Sequence, residues 1–249
     1  MSALAVLLIA IGLADMCRRI TRRAWLPVVV VPAAVVGCAL LAGLWHRGDI
    51  PLLVIACAAG IAWEVLGARA ERTGHRPWAP LLALGAGAAL VIVLSGWASD
   101  VAGPVGRWAE WTQLPGVGGL TADRLLMVVA VILLQLVTGN QLVRLVLGSV
   151  GAVKPAGQPQ PSDRLKGGRL LGPMERLLIL GLGLAGQLAA ATAVVAAKSI
   201  IRFPEINAQK AKANGNGDLG IGIDEVTEYF LVGSFASWII ALGGLALAQ

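Results

Sequence analysis

The stretch AWLPVVVVPAAVVGCALLAGLW, residues 24–45, holds no charge between its two tryptophans. Some twenty residues of helix rise about 30 Å, the thickness of a bilayer's hydrocarbon core, and Trp25 and Trp45 suit the two interfaces. Pro27 falls in the first turn, where a missing N–H costs little, whereas Pro32 lies deeper and should bend the helix. The same pattern recurs outward in both directions. Trp78 to Trp97 repeats the tryptophan frame, Ile50 to Gly67 and Leu125 to Val150 are further apolar runs, and Met1 to Cys17 is a short one that contains Asp15.

The whole 249-residue chain is 57% hydrophobic and only 14% charged, with mean hydropathy +0.78. Soluble domains carry about 25% charged residues, so this is the composition of an integral membrane protein. Its net charge of +6 comes from short basic clusters between apolar runs, as topology determinants do. A nucleic-acid partner, which needs a continuous basic stripe, is not indicated. Cys17, Cys38 and Cys57 have no C-x-x-C spacing and no histidine partners, which argues for inert thiols and against a metal site. The basic cluster from Arg18 to Arg23 follows the first apolar stretch, so that stretch reads as a first membrane helix with its N-terminus outside, and not as a cleaved signal peptide.

Two later runs carry charge. Leu170 to Arg202 includes Glu175, Arg176, Gln187, Lys198 and Arg202, and Glu225 to Leu247 opens on Glu225 and Glu228. Gly172-Pro173-Met174-Glu175 is a good helix start, and Pro204 is the expected stop. The expectation is an all-α polytopic transmembrane bundle of seven helices, or six if Met1 to Cys17 lies in the interface. It divides into a five-helix part (1–150), a Pro-rich cytoplasmic linker (151–168) and a C-terminal transmembrane hairpin (169–249). Trp108 and Trp111 at i, i+3 suit a short interfacial helix or a solvated loop. Alternating the connections puts thirteen of the twenty basic residues, those within 18–23, 69–76 and 144–176, on one side. That predicts an inner membrane location, the N-terminus outside and the C-terminus in the cytoplasm.

Charged residues beside membrane helices are costly and are either paired or used. Lys198 and Arg202 share one helix face, as do Glu225 and Glu228, and a hairpin would bring the two pairs together at the outer border. They form the main candidate site, either a plain ionic clasp or a pocket for a small ion or lipid head group. Asn140, Arg144, Glu175, Arg176 and Gln187 are its candidate supporting residues, with Arg144 paired to a carboxylate or part of an inner gate. Gln187, expected in the middle of the sixth helix, should need an interhelical partner. Gly181-Leu-Gly183-Leu-Ala-Gly186 matches a dinucleotide-binding fingerprint but lies in an apolar helix without a preceding strand, so it reads as a small-residue packing face. No catalytic signature, cofactor motif or metal-ligand set is present.

The segments Gly168-Arg-Leu-Leu-Gly-Pro-Met-Glu-Arg-Leu-Leu-Ile-Leu180, Gly186-Gln187, Ala196-Ala-Lys-Ser-Ile-Ile-Arg-Phe203 and Glu228-Tyr-Phe-Leu-Val-Gly-Ser234 resemble the C-terminal signature of a family of bacterial multi-pass membrane proteins, a domain of unknown function. The resemblance covers about residues 168–240. It implies that Glu175, Arg176, Gln187, Lys198, Arg202 and Glu228 form the family's shared feature, and it implies no mechanism. The expected function is therefore a membrane binding, accessory or transport component with the lipid bilayer, and a membrane-protein partner or second copy, as its surroundings. The alternative is a membrane enzyme acting on a lipid or polyprenyl phosphate at the outer border.

Overall fold

The computed structural model describes residues 1–21, 23, 25–111, 120–152, 168–197, 200 and 223–249, with the backbone alone in 168–170 and 223–226. Among the described residues it is all-α, without strands. The helices are α1 (Ser2–Ile20), α2 (Leu26–Ala42), α3 (Asp49–Thr73), α4 (Trp78–Val93), α5 (Gly103–Trp111), α6 (Ala122–Leu133), α7 (Gly139–Ser149), α8 (Gly168–Leu184), α9 (Leu188–Ala197) and α10 (Ile223–Ala248). A π turn, Leu134–Thr138, joins α6 to α7 without a break. The helices Asp49–Thr73, Ala122–Ser149 and Thr227–Ala248 are long and apolar enough to cross a membrane. This is a membrane-embedded helical bundle.

The shortest of the N-terminal apolar runs makes the most central helix. α1 is buried from Ser2 to Gly12 without interruption, and again at Ala14 and Asp15, because α2, α3 and α6 surround it. A helix that is apolar all round belongs in a core. Lipid tails are as apolar as leucine, so what holds such helices together is close packing, helped by small residues. Gly12 shows this: a β-carbon there would fall 2.6 Å from Leu133 of α6.

At the end of the bundle where α1 begins, Asp49 ties three segments together. Its carboxylate accepts from the Ser99 backbone N–H (2.8 Å), the Ser99 hydroxyl (2.6 Å) and the His46 N–H (3.0 Å), while Ser2 donates to the Ser99 carbonyl. α5 is helical, and Trp108 and Trp111 are exposed on it while Gly106 packs inward. The stretch is therefore a short helix and not a plain loop.

The C-terminal third departs from the expected hairpin. The sixth apolar run is not one helix. It stops at Leu184, Gly186 takes a left-handed φ of 74°, and the Gly186 and Gln187 N–H groups bond back to Gly183 and Leu182. These two bonds are a Schellman C-cap, which only a residue free of left-handed strain closes cheaply. α9 then doubles back, placing Ala191 with Ile179 of α8 and Ala241 of α10. As a result α8 and α10 run parallel, with Glu175 beside Trp238, Arg176 beside Ser237 and Gly183 against Leu245.

A second correction follows for the termini. α10 runs antiparallel to α6 and α7, from Gly233 at Leu147 to the Ala248 carbonyl, which accepts from Arg124. Arg124 adjoins Asp123, which holds Val101 beside Ser99 and Ser2. Both ends of the chain therefore lie at the same end of the bundle, not at opposite ends. Nor do α8 and α10 stand apart beyond a hinge; they pack directly on the π turn and α7. Most of the linker, 153–167, lies outside the described residues.

Candidate functional site: a polar belt around a π turn

Most of the expected charge cluster lies outside the described residues: Lys198, Arg202 and the side chain of Glu225. Glu228 is exposed on α10. Gln187 is not inside a helix; it is exposed at the turn into α9, where its carbonyl accepts from Ala191. Arg144 is exposed and forms no ion pair among the described residues. Of the glycines in the 181–186 motif, Gly183 packs on Leu245, Gly186 makes the turn, and Gly181 faces open space.

The structure instead concentrates buried polarity around residues 134–141. In an α-helix each N–H reaches back four residues, but here the Gly139 N–H reaches the Leu134 carbonyl, five back. The wider turn presents carbonyls sideways, and two arginines use them. Arg176 of α8, 1% exposed, donates to the Gln135 carbonyl from Nη2 (2.9 Å) and Nε (3.3 Å). Its Nη2 also reaches Asn140 Oδ1 (2.8 Å), and its Nη1 reaches Ser237 Oγ of α10 (3.2 Å). Gly139 makes this fit, because a β-carbon there would lie 2.9 Å from both Nε and Nη2. On the opposite side of the turn, Arg19 of α1 donates to the Val137 carbonyl.

Arg176 is thus a buried cation held by three neutral acceptors, with no ion pair among the described residues. Its chain neighbour Glu175, also buried, accepts from Trp238 Nε1 at 2.9 Å. Gln135, 0% exposed, spans from the π turn to the Ile240 carbonyl of α10 (2.9 Å). All three guanidinium nitrogens of Arg176 have acceptors, as a low-dielectric interior demands of a charge. Gln135 Oε1 and Thr138 Oγ1 beside it have no hydrogen-bond partner among the described residues.

A second cluster occupies the cleft between α1, α3 and α7. Asp15 and Glu64 are each 2% exposed, and both face one nitrogen of Arg18: Asp15 in a close bond, Glu64 at 3.6 Å. The same Nη2 donates to Gln141 Oε1 at 2.6 Å, and the fully buried Trp63 points Nε1 at both Asp15 oxygens from 3.4 Å. Three buried atoms of this cluster have no hydrogen-bond partner: Glu64 Oε1, Arg18 Nη1 and Gln141 Nε2. Gly67 leaves the space they border, since a β-carbon there would come 3.0 Å from Gln141 Nε2 and 3.5 Å from Arg18 Nη1.

Asn140 and Gln141 are adjacent and serve opposite clusters, so the belt crosses the bundle through α7. Read from the sequence, Asn140 and Glu175 stand out as supporting residues, whereas Asp15 is only the charge within a short apolar run and Arg18 a topology signal. The i, i+3 spacing of Asp15 and Arg18 is the available clue. No metal-binding group of His, Cys, Asp or Glu occurs among the described residues. In comparisons with known proteins, the chain matches no family model, no curated protein and no solved structure.

Proposed function

We propose that this chain is a multi-pass binding or transport component of a bacterial inner membrane whose working site is the polar belt around the π turn, and not the border between the last two helices. The observation that carries this reading is Arg176, a guanidinium 1% exposed among helices apolar enough to span a bilayer. Charges at such depth are expensive, and those that persist mark ligand or ion paths more often than they stabilise. π turns likewise gather at functional sites. The outward faces of α8 and α10 carry Leu178, Phe235, Ile239 and Leu242, a surface for lipid, while Glu175 and Arg176 point inward. This distribution supports a path within the bundle over a lipid-processing groove at its edge.

The orientation belongs to the same proposal. A parallel α8 and α10 require the chain between them to return to the end where α10 begins. The thirteen basic residues counted from the sequence then lie on the inner side, and Arg47, Arg107 and Arg124 on the outer. The positive-inside rule therefore favours both termini outside. Reporter fusions at Gln249 and within 153–167 should read external and cytoplasmic respectively; a cytoplasmic Gln249 refutes the orientation. The site is tested by complementation of a deletion strain with Arg176→Lys, checked for membrane insertion and thermal stability. A stable variant that fails to complement supports the belt as the working site. Full complementation removes it.

A further inference from the structure

We infer that the Asp15–Glu64 pair is a proton-binding site, taking up one proton in the cleft between α1 and α3 and carrying it on Glu64. The inference rests on the transport reading for its purpose but not for its measurement.

Charge counting motivates it. Two carboxylates, each 2% exposed, share a single guanidinium, so the cleft holds one negative charge more than it can pair. Other elements do not redress the balance. Arg19 faces the opposite way, to the Val137 carbonyl, and Glu71 further along α3 is exposed and adds a negative charge. α7 brings the neutral Gln141, and α2 and α4 bring no acidic or basic residue. An unpaired charge in a poorly solvated site is the costly state, and neutralisation by a proton is the usual escape. The geometry says where the proton goes. Asp15 is fully engaged by Arg18 and the Trp63 indole, whereas Glu64 holds Arg18 only at 3.6 Å and leaves Oε1 without a partner. The way out is short, because the Arg18 side chain is 21% exposed and α1 ends two residues later.

Arg18 also gives the site two states. With Glu64 charged, the guanidinium is drawn between both carboxylates; with Glu64 neutral, it belongs to Asp15 and Gln141 alone. Since Gln141 adjoins Asn140, which holds Arg176, protonation on one side of α7 is mechanically next to the other cluster.

Infrared difference spectroscopy on the purified full-length protein measures this directly. The protein is titrated from about pH 4, near ordinary carboxylates, up to about pH 10, in potassium and in sodium buffers. The expected result is one buried carboxylic-acid C=O band that disappears reversibly as pH rises, is lost in Glu64→Gln and persists in Glu175→Gln. Glu64→Asp should shift the band, and it serves as the test should Glu64→Gln not fold. Absence of any titrating band, or a band that survives Glu64→Gln, overturns the proposal. A band abolished by sodium at constant pH but not by potassium also overturns it, since the ligand would then be a metal cation.

Discussion

The two polar clusters sit on opposite sides of one helix and solve the burial of charge differently. Around Arg176 the cation is enclosed by a backbone carbonyl, an amide oxygen and a hydroxyl, each within 3.3 Å. Around Glu64 the groups are charged, one cation serves two anions, and the atoms without partners include a carboxylate oxygen and a guanidinium nitrogen. A buried charge whose donors are all met rigidifies its surroundings, whereas a partly satisfied charged network stays responsive to anything that can complete it. Within the proposed site the Arg176 cluster is therefore the fixed wall, seating the C-terminal helices on the π turn, and the Glu64 cluster the part that can change.

Breaking the clamp should have the largest consequence. Arg176→Ala removes the donor that the Gln135 carbonyl, Asn140 Oδ1 and Ser237 Oγ share in a closed site, and at about 1–3 kcal/mol for each buried acceptor that loses its partner the total comes to about 3–5 kcal/mol. Thermal unfolding in detergent should show a loss in that range, with α8 released from α7. A fall below about 1 kcal/mol, the worth of one ordinary hydrogen bond, would mean that Arg176 is not a clamp. Gly139→Ala should cost less, about 1–3 kcal/mol, as overpacking does. Its methyl would lie 2.9 Å from Nε and Nη2 and push the guanidinium from the π turn. The two losses should not add, because both remove the same contact; additive losses would mean that the glycine acts elsewhere.

The parallel run of α8 and α10 is a sharper test of geometry than of energy. Cysteines replacing Gly183 and Leu245 should cross-link in membranes, since the two residues are in contact. A hairpin with α10 antiparallel to α8 would instead put Leu245 near the start of α8. Gly186→Ala forces a side chain into a left-handed backbone, at a cost of about 1–2 kcal/mol. It should lower the cross-linking yield if the turn at Gly186 is what lets α9 double back.

What can be read from the chain and what cannot divide along the same physical line. Apolar length and tryptophan framing locate α2, α3, α4 and the α6–α7 rod, because each is a property of one segment. The turn at Gly186 is invisible for the opposite reason: in an apolar run a glycine reads equally as a packing surface and as a left-handed stop. Choosing between them requires knowing what Ala191 packs against. With that choice go the direction of α10 and the end of the bundle at which Gln249 lies.

The buried clusters are half legible. Asn140, Gln141, Glu64 and Glu175 stand out as polar residues in apolar helices, yet which of them meet depends on helix rotation, and one residue's difference sends Asn140 to Arg176 and Gln141 to Arg18. Asp15 is hidden by its position. In a short run followed by four arginines, a carboxylate looks like the end of a helix, and only the burial of α1 on every side shows that it lies within the core.

The smallest expected effect on stability is at Glu64, and there the contrast between the clusters is most exposed. At a pH where Glu64 has lost its proton, Glu64→Gln keeps the shape and the hydrogen-bonding reach of the side chain while removing one of the two negative charges that share Arg18. If the cleft holds an unmatched charge, its removal should leave the stability unchanged or raise it, because a neutral amide is cheaper to bury than an unpaired carboxylate. The close Asp15–Arg18 bond then survives as a simple ion pair, still braced by Trp63 and Gln141. Removing Asp15 instead should be costly, since Asp15→Asn takes away the nearer partner of Arg18. Thermal unfolding of the two variants side by side gives the answer. A loss at Glu64→Gln as large as at Asp15→Asn would show that both carboxylates are structural partners of the arginine, and the α1–α3 cleft would then be a second clamp.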